Sequence, residues 1–317
     1  MKRVLVTGAF GNIGRNAVMA LREQGHRVRA LSFEPKRDRA VAKQFGPSVE
    51  VVRGDVRDAR DMDAAVAGQD VVIHLAFVIP PGSNENPALA ESVNVGGTRA
   101  VIAAANRAPT PPRLLFASTL DVYGRTQHLA PPRRVDDPVQ PTDAYSQHKI
   151  ACEHLVRESG LTWAIYRFAD VPPIEIRAPH PIMFTIPLAQ RIEMIHPRDA
   201  GLAVANGVAG EDIWGRVMHI GGGARCQLRY GEYLTAFLDA MGIGALPEAW
   251  FSTEPYCTDW LDTGESQRLL QYQRHDFQDV VRETAALLGW RAPFARALRP
   301  LVRWQIGRLS PHRARPR

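Results

Sequence analysis

Through the first 170 residues, short apolar runs alternate with stretches whose apolar positions recur at helical spacing. The β-branched run Arg3–Thr7 is followed by a glycine-rich turn and a helical stretch over Asn16–Gln24. Further strands are expected at Arg27–Leu31, Val49–Arg53, Val71–Leu75, Arg113–Ala117 and Thr162–Arg167. Helical spacing falls near Arg39–Phe45, Met62–Ala67, Val95–Ala105 and from about Ala144 to Ser159. Val71–Leu75 is nearly all apolar, as a strand buried on both faces requires. Strands alternating with helices imply an α/β fold with a doubly wound parallel sheet.

After Arg167 the rhythm breaks. Five prolines in residues 171–187 predict an irregular surface loop. Gly221-Gly222-Gly223, after a strand at Val217–Ile220, predicts a flexible joint, and helical spacing returns at Tyr230–Met241 and Phe277–Leu288. Residues 171–290 are therefore expected to form a small lobe with segments returning to the sheet. Residues 291–317 form a separate tail.

Charge is concentrated in that tail. The whole chain of 317 residues is at +6, but residues 291–317 hold eight arginines and no acid, which leaves the first 290 at −2. The body is not basic, and no nucleic-acid partner is expected. Phe294, Leu298, Leu301, Trp304 and Leu309 fall on one helical face, with Arg296, Arg299 and Arg303 opposite and Pro300 interrupting. Two fates suit such a segment: docking on the protein's own surface, or peripheral contact with an anionic membrane. No run is long and apolar enough to span a bilayer. Cys152, Cys226 and Cys257 are too scattered for a disulfide framework or a zinc site, so a cytoplasmic setting and no metal are expected.

The strongest chemical signal is Thr7-Gly8-Ala9-Phe10-Gly11-Asn12-Ile13-Gly14, placed between a strand and a helix. Such glycines make a tight turn, admit a pyrophosphate to the backbone and let helix and strand pack closely. The helix start adds unpaired N–H groups. At the end of the second strand, Ser32 occupies the place of the acid that marks NAD, and Lys36, Arg37 and Arg39 follow Glu34. Arg37 and its neighbours would suit the 2′-phosphate of NADP, which is slightly favoured over NAD. Farther along, Tyr145 and Lys149 share a helix face, and an ammonium beside a phenol lowers its pKa. Ser118 and Thr119 end a preceding strand and offer a hydroxyl to hold a substrate oxygen.

Together with Gly54-Asp55, His74-Leu75-Ala76, Asn94 in Asn-Val-Gly-Gly-Thr and Val122-Tyr123-Gly124, these motifs resemble the extended short-chain dehydrogenase/reductase family. It is also called the NAD-dependent epimerase/dehydratase family. The resemblance implies a Rossmann-type domain over residues 1–170 and a substrate lobe over 171–290. It also implies a homodimer packed through helices on the sheet's flank. By the resemblance, Gly8, Gly11, Asn12, Ile13 and Gly14 carry the pyrophosphate, Asp55 and Val56 meet the adenine, and Leu75, Ala76 and Phe77 line the ribose side. Asn94 joins the cofactor-binding set. Tyr145 is the expected acid/base, Lys149 binds the nicotinamide ribose, and Thr119 rather than Ser118 is the catalytic hydroxyl. His74 and the His196–Ala200 segment are expected to be structural.

Three departures narrow the substrate. Leu120 stands where sugar dehydratases resemble one another in an aspartate, so that dehydration is not expected; Asp121 is either a base or a surface acid. Asp170 replaces an asparagine that holds a diphosphate in UDP-sugar epimerases, and a carboxylate there would repel it. Only 28 residues separate Arg167 from His196, with Arg177 and Arg191 as the arginines between them, which leaves open a repositioned phosphate site. Trp250, Phe251, Tyr256 and Trp260 either wall an apolar pocket or form the lobe's core. The expected activity is NAD(P)-dependent interconversion of a secondary alcohol and a ketone on a compact small molecule. A redox-neutral epimerase with retained cofactor and a cofactor-binding scaffold are the alternatives.

Overall fold

The computed structural model describes residues 1–291 and 297–313. Its strands are β1 (Arg3–Thr7), β2 (Arg27–Ser32), β3 (Val49–Arg53), β4 (Val71–His74), β5 (Arg113–Thr119), β6 (Trp163–Phe168), β7 (Arg191–Glu193), β8 (Val217–Ile220) and β9 (Gln227–Arg229). The helices through the sheet domain are α1 (Asn12–Glu23), α2 (Pro35–Phe45), α3 (Ala59–Val66), α4 (Gly82–Glu85), α5 (Pro87–Glu91), α6 (Gly97–Arg107), α7 (Ala144–Arg157) and α8 (Pro197–Ala209). Beyond them come α9 (Tyr230–Ala240), α10 (Gly264–Leu270), α11 (Phe277–Ala286) and α12 (Arg299–Gly307). Among the described residues, seven strands form one sheet in the order β3-β2-β1-β4-β5-β6-β8, every pair parallel. β7 and β9 make a separate antiparallel ribbon.

The period-2 alternation of strand side chains divides the interior into two cores. Val4, Val6, Ile73 and Leu115 face α1 and α8, while Leu5, Val72, Leu114 and Phe116 face α3, α6 and α7. The strand order reverses between β1 and β4, and a crevice opens beyond their carboxyl ends, as at any such switch point. The helix after β1 starts at Asn12, four residues before the apolar spacing announces it, because Gly11 caps it and its first turn carries a glycine. At α7 the capping box of Asp143 with Ser146 fixes the start where expected.

Segments 197–209 and 217–220 belong to the sheet domain: α8 packs on α1, and β8 extends the sheet beyond β6. The triple glycine corrects the expectation of a flexible joint. All three residues are buried. A Cβ on Gly221 would lie 2.1 Å from Glu193 Oε1, and one on Gly222 would lie 2.4 Å from the Met194 carbonyl. Glu193 Oε1 accepts from Gly223 N at 3.0 Å, so these glycines permit close packing.

The tail also differs from expectation. Phe294 and Arg296 lie outside the described residues. Val302 and Leu309 pack against the lobe core, where Ile306 is buried. Leu298, Leu301 and Trp304 point outward. Leu309 parts from the expected face because it follows the end of α12, where Ser310 Oγ donates to the Trp250 carbonyl at 2.6 Å. No helix of the described residues is long and apolar enough to cross a membrane.

Candidate active site

The turn after β1 is built by close approach. Gly8 has φ +68°, and a Cβ there would sit 2.6 Å from Ala76 N; a Cβ on Gly14 would sit 2.1 Å from the Gly8 carbonyl. Only glycine serves at either position. No side chain caps the first turn of α1, so its N–H groups stay available to an anion. Asn12 Nδ2 donates to the Val171 carbonyl at 2.8 Å, pinning the segment after β6 to this helix. Gly8, Gly11, Asn12, Ile13, Gly14, Leu75 and Phe77 line one end of a cleft of about 450 Å³.

Thr119, Tyr145 and Lys149 line the same cleft. Thr119 ends β5 and accepts from Asp121 N at 3.2 Å. Tyr145 enters from the first turn of α7 and sets its ring edge-to-face with Phe77, centroids 5.8 Å apart. Lys149, one turn later, donates from Nζ to the Ala117 carbonyl at 2.6 Å and lies 3.6 Å from the Phe77 ring centroid. Burial pushes the Lys149 ammonium down to about 7. The phenol corrects the expectation of a lowered pKa. Burial drives Tyr145 well above its usual value, Asp121 adds to this, and the Thr119 hydrogen bond opposes it. With the ammonium 5.7 Å from the ring centroid, desolvation wins.

Ser118 is spent elsewhere. It donates to Glu153 Oε1 at 2.6 Å, and Glu153 takes two hydrogen bonds from Arg167 at 2.9 and 2.7 Å. Arg167 in turn donates to the Tyr123 hydroxyl at 2.6 Å, which meets His219 Nε2 at 2.6 Å. Of the two hydroxyls at the strand end, Thr119 is thus the one facing the cleft chemistry. His74 is likewise engaged on both ring nitrogens, with Thr7 at 2.8 Å and Thr98 at 3.0 Å. His196 caps α8, accepting from Arg198 N at 3.1 Å.

The far end of the cleft is acidic and apolar. Asp121 and Asp170 line it with Ile186, Ile192 and Tyr256. Burial, reinforced by Asp143 and Asp170, pushes the Asp121 carboxyl up to about 7. Burial also lifts Asp170 to about 6 against the pull of Arg177, although water reaches it through the cleft. Among the described residues lining the cleft, Lys149 is the one cation. Arg191 is locked to Asp259 at 2.6 Å in the lobe interior, and Arg177 pairs with Glu175 at 2.5 Å on the surface. Arg191 is thus committed to the lobe interior, and Arg177, within electrostatic reach of Asp170, lies outside the cleft lining.

Residues 4–171 match the model of the NAD dependent epimerase/dehydratase family. The chain belongs to this family. It is 33% identical over 163 residues to the 3 beta-hydroxysteroid dehydrogenase/Delta 5-->4-isomerase of Mycobacterium tuberculosis, a match taking in 49% of this chain and 42% of that one. It is 34% identical over 170 residues to the L-arabinose 1-dehydrogenase (NAD(P)(+)) of Haloferax volcanii, taking in 49% of this chain and 60% of the other. The chain thus matches about half the length of these relatives. In fold it is similar to the UDP-glucuronic acid 4-epimerase of Bacillus cereus, with a TM-score of 0.76, 19% identity and coverage of 90% of this chain and 98% of that one.

As a member of the epimerase/dehydratase family, the chain arranges its adenosine side unexpectedly. Ser32 is buried and donates its hydroxyl to Asp38 Oδ2 at 2.6 Å, so it positions a carboxylate instead of meeting a ribose itself. Arg37 is exposed and pairs with Glu34 at 3.4 Å. The Asp55 carboxylate is taken up by Arg57 at 2.5 Å, whose hydrogen bond holds it below the usual carboxylate range. Val56 is buried beneath Gly97. Ala76 lies behind the glycine turn and donates to Thr7 Oγ1 at 3.3 Å. Asn94 is fully buried, accepting from Val78 N at 2.7 Å and donating to Val78 O at 3.0 Å. It braces the segment after β4 and is set back from the cleft.

Sequence reasoning missed Asp38, whose role depends on α2 starting at Pro35 and turning its first turn toward Ser32. It also left the aromatic cluster undivided. Phe251 and Trp250 belong to the lobe core, Trp260 donates to the Leu228 carbonyl at 3.1 Å, and Tyr256 alone of the four lines the cleft.

Proposed function

We propose that this family member is an NAD(P)-dependent oxidoreductase interconverting a secondary alcohol and a ketone on a compact, partly apolar substrate. The observation carrying this reading is the cleft itself. It joins the glycine turn to Thr119, Tyr145 and Lys149, yet beyond them it presents two carboxylates and apolar walls with no arginine. A nucleoside diphosphate would meet repulsion there. The relatives named for hydroxysteroid dehydrogenation support an apolar secondary alcohol.

The residues present suit a dinucleotide: the glycine cradle would hold its pyrophosphate and Lys149 its nicotinamide ribose. When bound, the dinucleotide supplies hydride transfer. Tyr145 exchanges the hydroxyl proton of the substrate. Thr119 orients that oxygen, and Lys149, held by the Ala117 carbonyl and the Phe77 face, adds positive charge beside the phenol. Within this reading the cofactor is NAD, contrary to the basic run after Ser32, because the Asp38 carboxylate held on Ser32 suits a ribose hydroxyl and repels a 2′-phosphate.

Denaturing freshly purified protein and identifying any released nucleotide is the deciding experiment, followed by assays on small apolar secondary alcohols and on UDP-sugars. An empty protein that binds NAD and oxidises the alcohols supports the proposal. Stoichiometric retained NAD with turnover of UDP-sugars replaces it with the epimerase. Failure to bind any dinucleotide replaces it with the scaffold.

A further inference from the structure

The tail helix is fastened to the body by one face. Val302, Ile306 and Leu309 pack with Phe184 and Trp250, and Arg303 Nη1 donates to the carbonyls of Ile243 and Gly244, each at 3.2 Å. The opposite face stays open. Leu298, Leu301 and Trp304, spaced so that they share one side of a helix, are 53%, 50% and 49% exposed. Leu298, Leu301 and Trp304 thus put three large exposed apolar residues within seven positions, and no other stretch of that length among the described residues holds more than two. A ridge of this kind marks an interaction surface.

Charge selects what covers it. Residues 291–317 carry eight arginines and no acid, whereas the preceding 290 residues are at −2. Arg308 lies with its guanidinium carbon 5.0 Å from the Trp304 ring centroid, beside the exposed face, while Arg299 and Arg303 reach Gly244 on the seated side. Exposed leucines and tryptophan beside Arg308, in a tail rich in arginine, place apolar bulk at the acyl boundary and positive charge at lipid phosphates. A second copy would bring two tails of +8 together, and a nucleic acid would leave the leucines uncovered. We infer that the exposed face of α12 docks on an anionic lipid bilayer. The cluster that seats the helix also contains Ile186 and Ile192, which line the cleft. Docking therefore holds the substrate lobe against the membrane. The inference stands independently of the reaction proposed above.

The test is sedimentation of the full chain with phosphatidylglycerol-rich vesicles and with pure phosphatidylcholine vesicles. Binding to the anionic vesicles, weakened by salt, is expected, with a blue shift of tryptophan emission. L298S/L301S/W304S should lower partitioning roughly tenfold or more, and R308E should lower it roughly tenfold on anionic vesicles alone. Both variants leave the buried side of the helix unchanged, so melting curves and dinucleotide binding should match the wild type. If the serine variant melts early, the charge-reversal variant decides. Equal partitioning of wild type and R308E, or no partitioning of the wild type, overturns the inference. So does a dimer that the serine variant abolishes, or duplex DNA binding that the charge-reversal variant abolishes.

Discussion

Two groups of charges sit at the carboxyl end of the same sheet and behave oppositely. Beneath the cleft, burial works to raise the Glu153 carboxyl, but the Arg167 hydrogen bonds and charge, with help from Ser118, hold it below the usual range. Arg167 is raised in return, its pairing with Glu153 outweighing burial. In the cleft itself, Asp121, Asp170 and Lys149 lack a hydrogen-bonded partner of opposite charge; burial moves Asp121 and Lys149 to about 7, and Asp170, which water reaches, is lifted to about 6. Burial with a partner makes architecture. Burial without one leaves groups poised near neutrality, where proton exchange with a substrate is easiest.

The comparison breaks first on Tyr145. In the proposed mechanism Tyr145→Phe removes the proton carrier and leaves the ring packed on Phe77, so turnover should fall by roughly 10²–10⁴-fold. Dinucleotide binding, followed by fluorescence titration, should be unchanged. Full activity in this variant would remove the catalytic half of the comparison. Glu153→Ala tests the other half. Stripping one partner from a buried pair should destabilise the fold by about 3–5 kcal/mol in urea unfolding. Glu153→Leu combined with Arg167→Met should recover most of that loss, because the apolar pair leaves no stranded charge.

The adenosine side sharpens the same contrast at smaller scale. Asp38 is a half-buried carboxylate held by the Ser32 hydroxyl at 2.6 Å. Asp38→Asn keeps the hydrogen bond and removes the charge. The ratio of NADP to NAD affinity should then rise roughly tenfold, equivalent to about 1.4 kcal/mol. An unchanged ratio would show that Asp38 does not face the ribose.

The strands and the motifs of the cleft were legible in the sequence, whereas the pairing of Glu153 with Arg167 was not. Val49–Arg53 and Val217–Ile220 were expected to the residue, because short β-branched runs bounded by turns define strands both at the exposed edge, as in β3, and in the buried β8. The glycine turn, Thr119, Tyr145 and Lys149 were legible through motif spacing. Three features were not. The Gly221–Gly223 turn looks flexible in isolation and is rigid only because Glu193, distant in sequence, fills the space beside it. Asp55 and Asn94 sit in recognisable motifs, yet their side chains are spent on Arg57 and on the backbone of Val78. In the tail, helical spacing grouped Leu309 with Trp304, but the helix ends at Gly307 and the chain turns back on the lobe. Each failure concerns a partner that tertiary packing chooses.

The smallest expected effect is on stability against pH, and its sign separates the two regions. Asp121 titrates near 7 in the folded chain, against about 4 for an ordinary carboxyl. Between those values the folded state holds a proton that the unfolded state has shed, so this stabilisation is present at low pH and lost as pH rises through about 7. Asp170 acts in the same direction, with its window closing near 6. Lys149, lowered to about 7, acts oppositely. Above that value the unfolded chain keeps a proton that the folded chain has lost, and stability recovers toward about pH 10. Glu153, held low, contributes above the usual carboxylate range and loses its contribution only as pH falls below it. The cleft groups therefore produce a shallow stability minimum near neutrality. Asp121→Asn should flatten its acid side and stabilise the protein by about 1 kcal/mol at neutral pH, a modest figure because water enters the cleft. Lys149→Met should flatten only the alkaline side. Urea midpoints measured from about pH 5 to about pH 9 resolve both limbs. A midpoint that rises smoothly through neutrality in the wild type would mean that the cleft carboxylates are paired after all, and the contrast between the two regions would collapse.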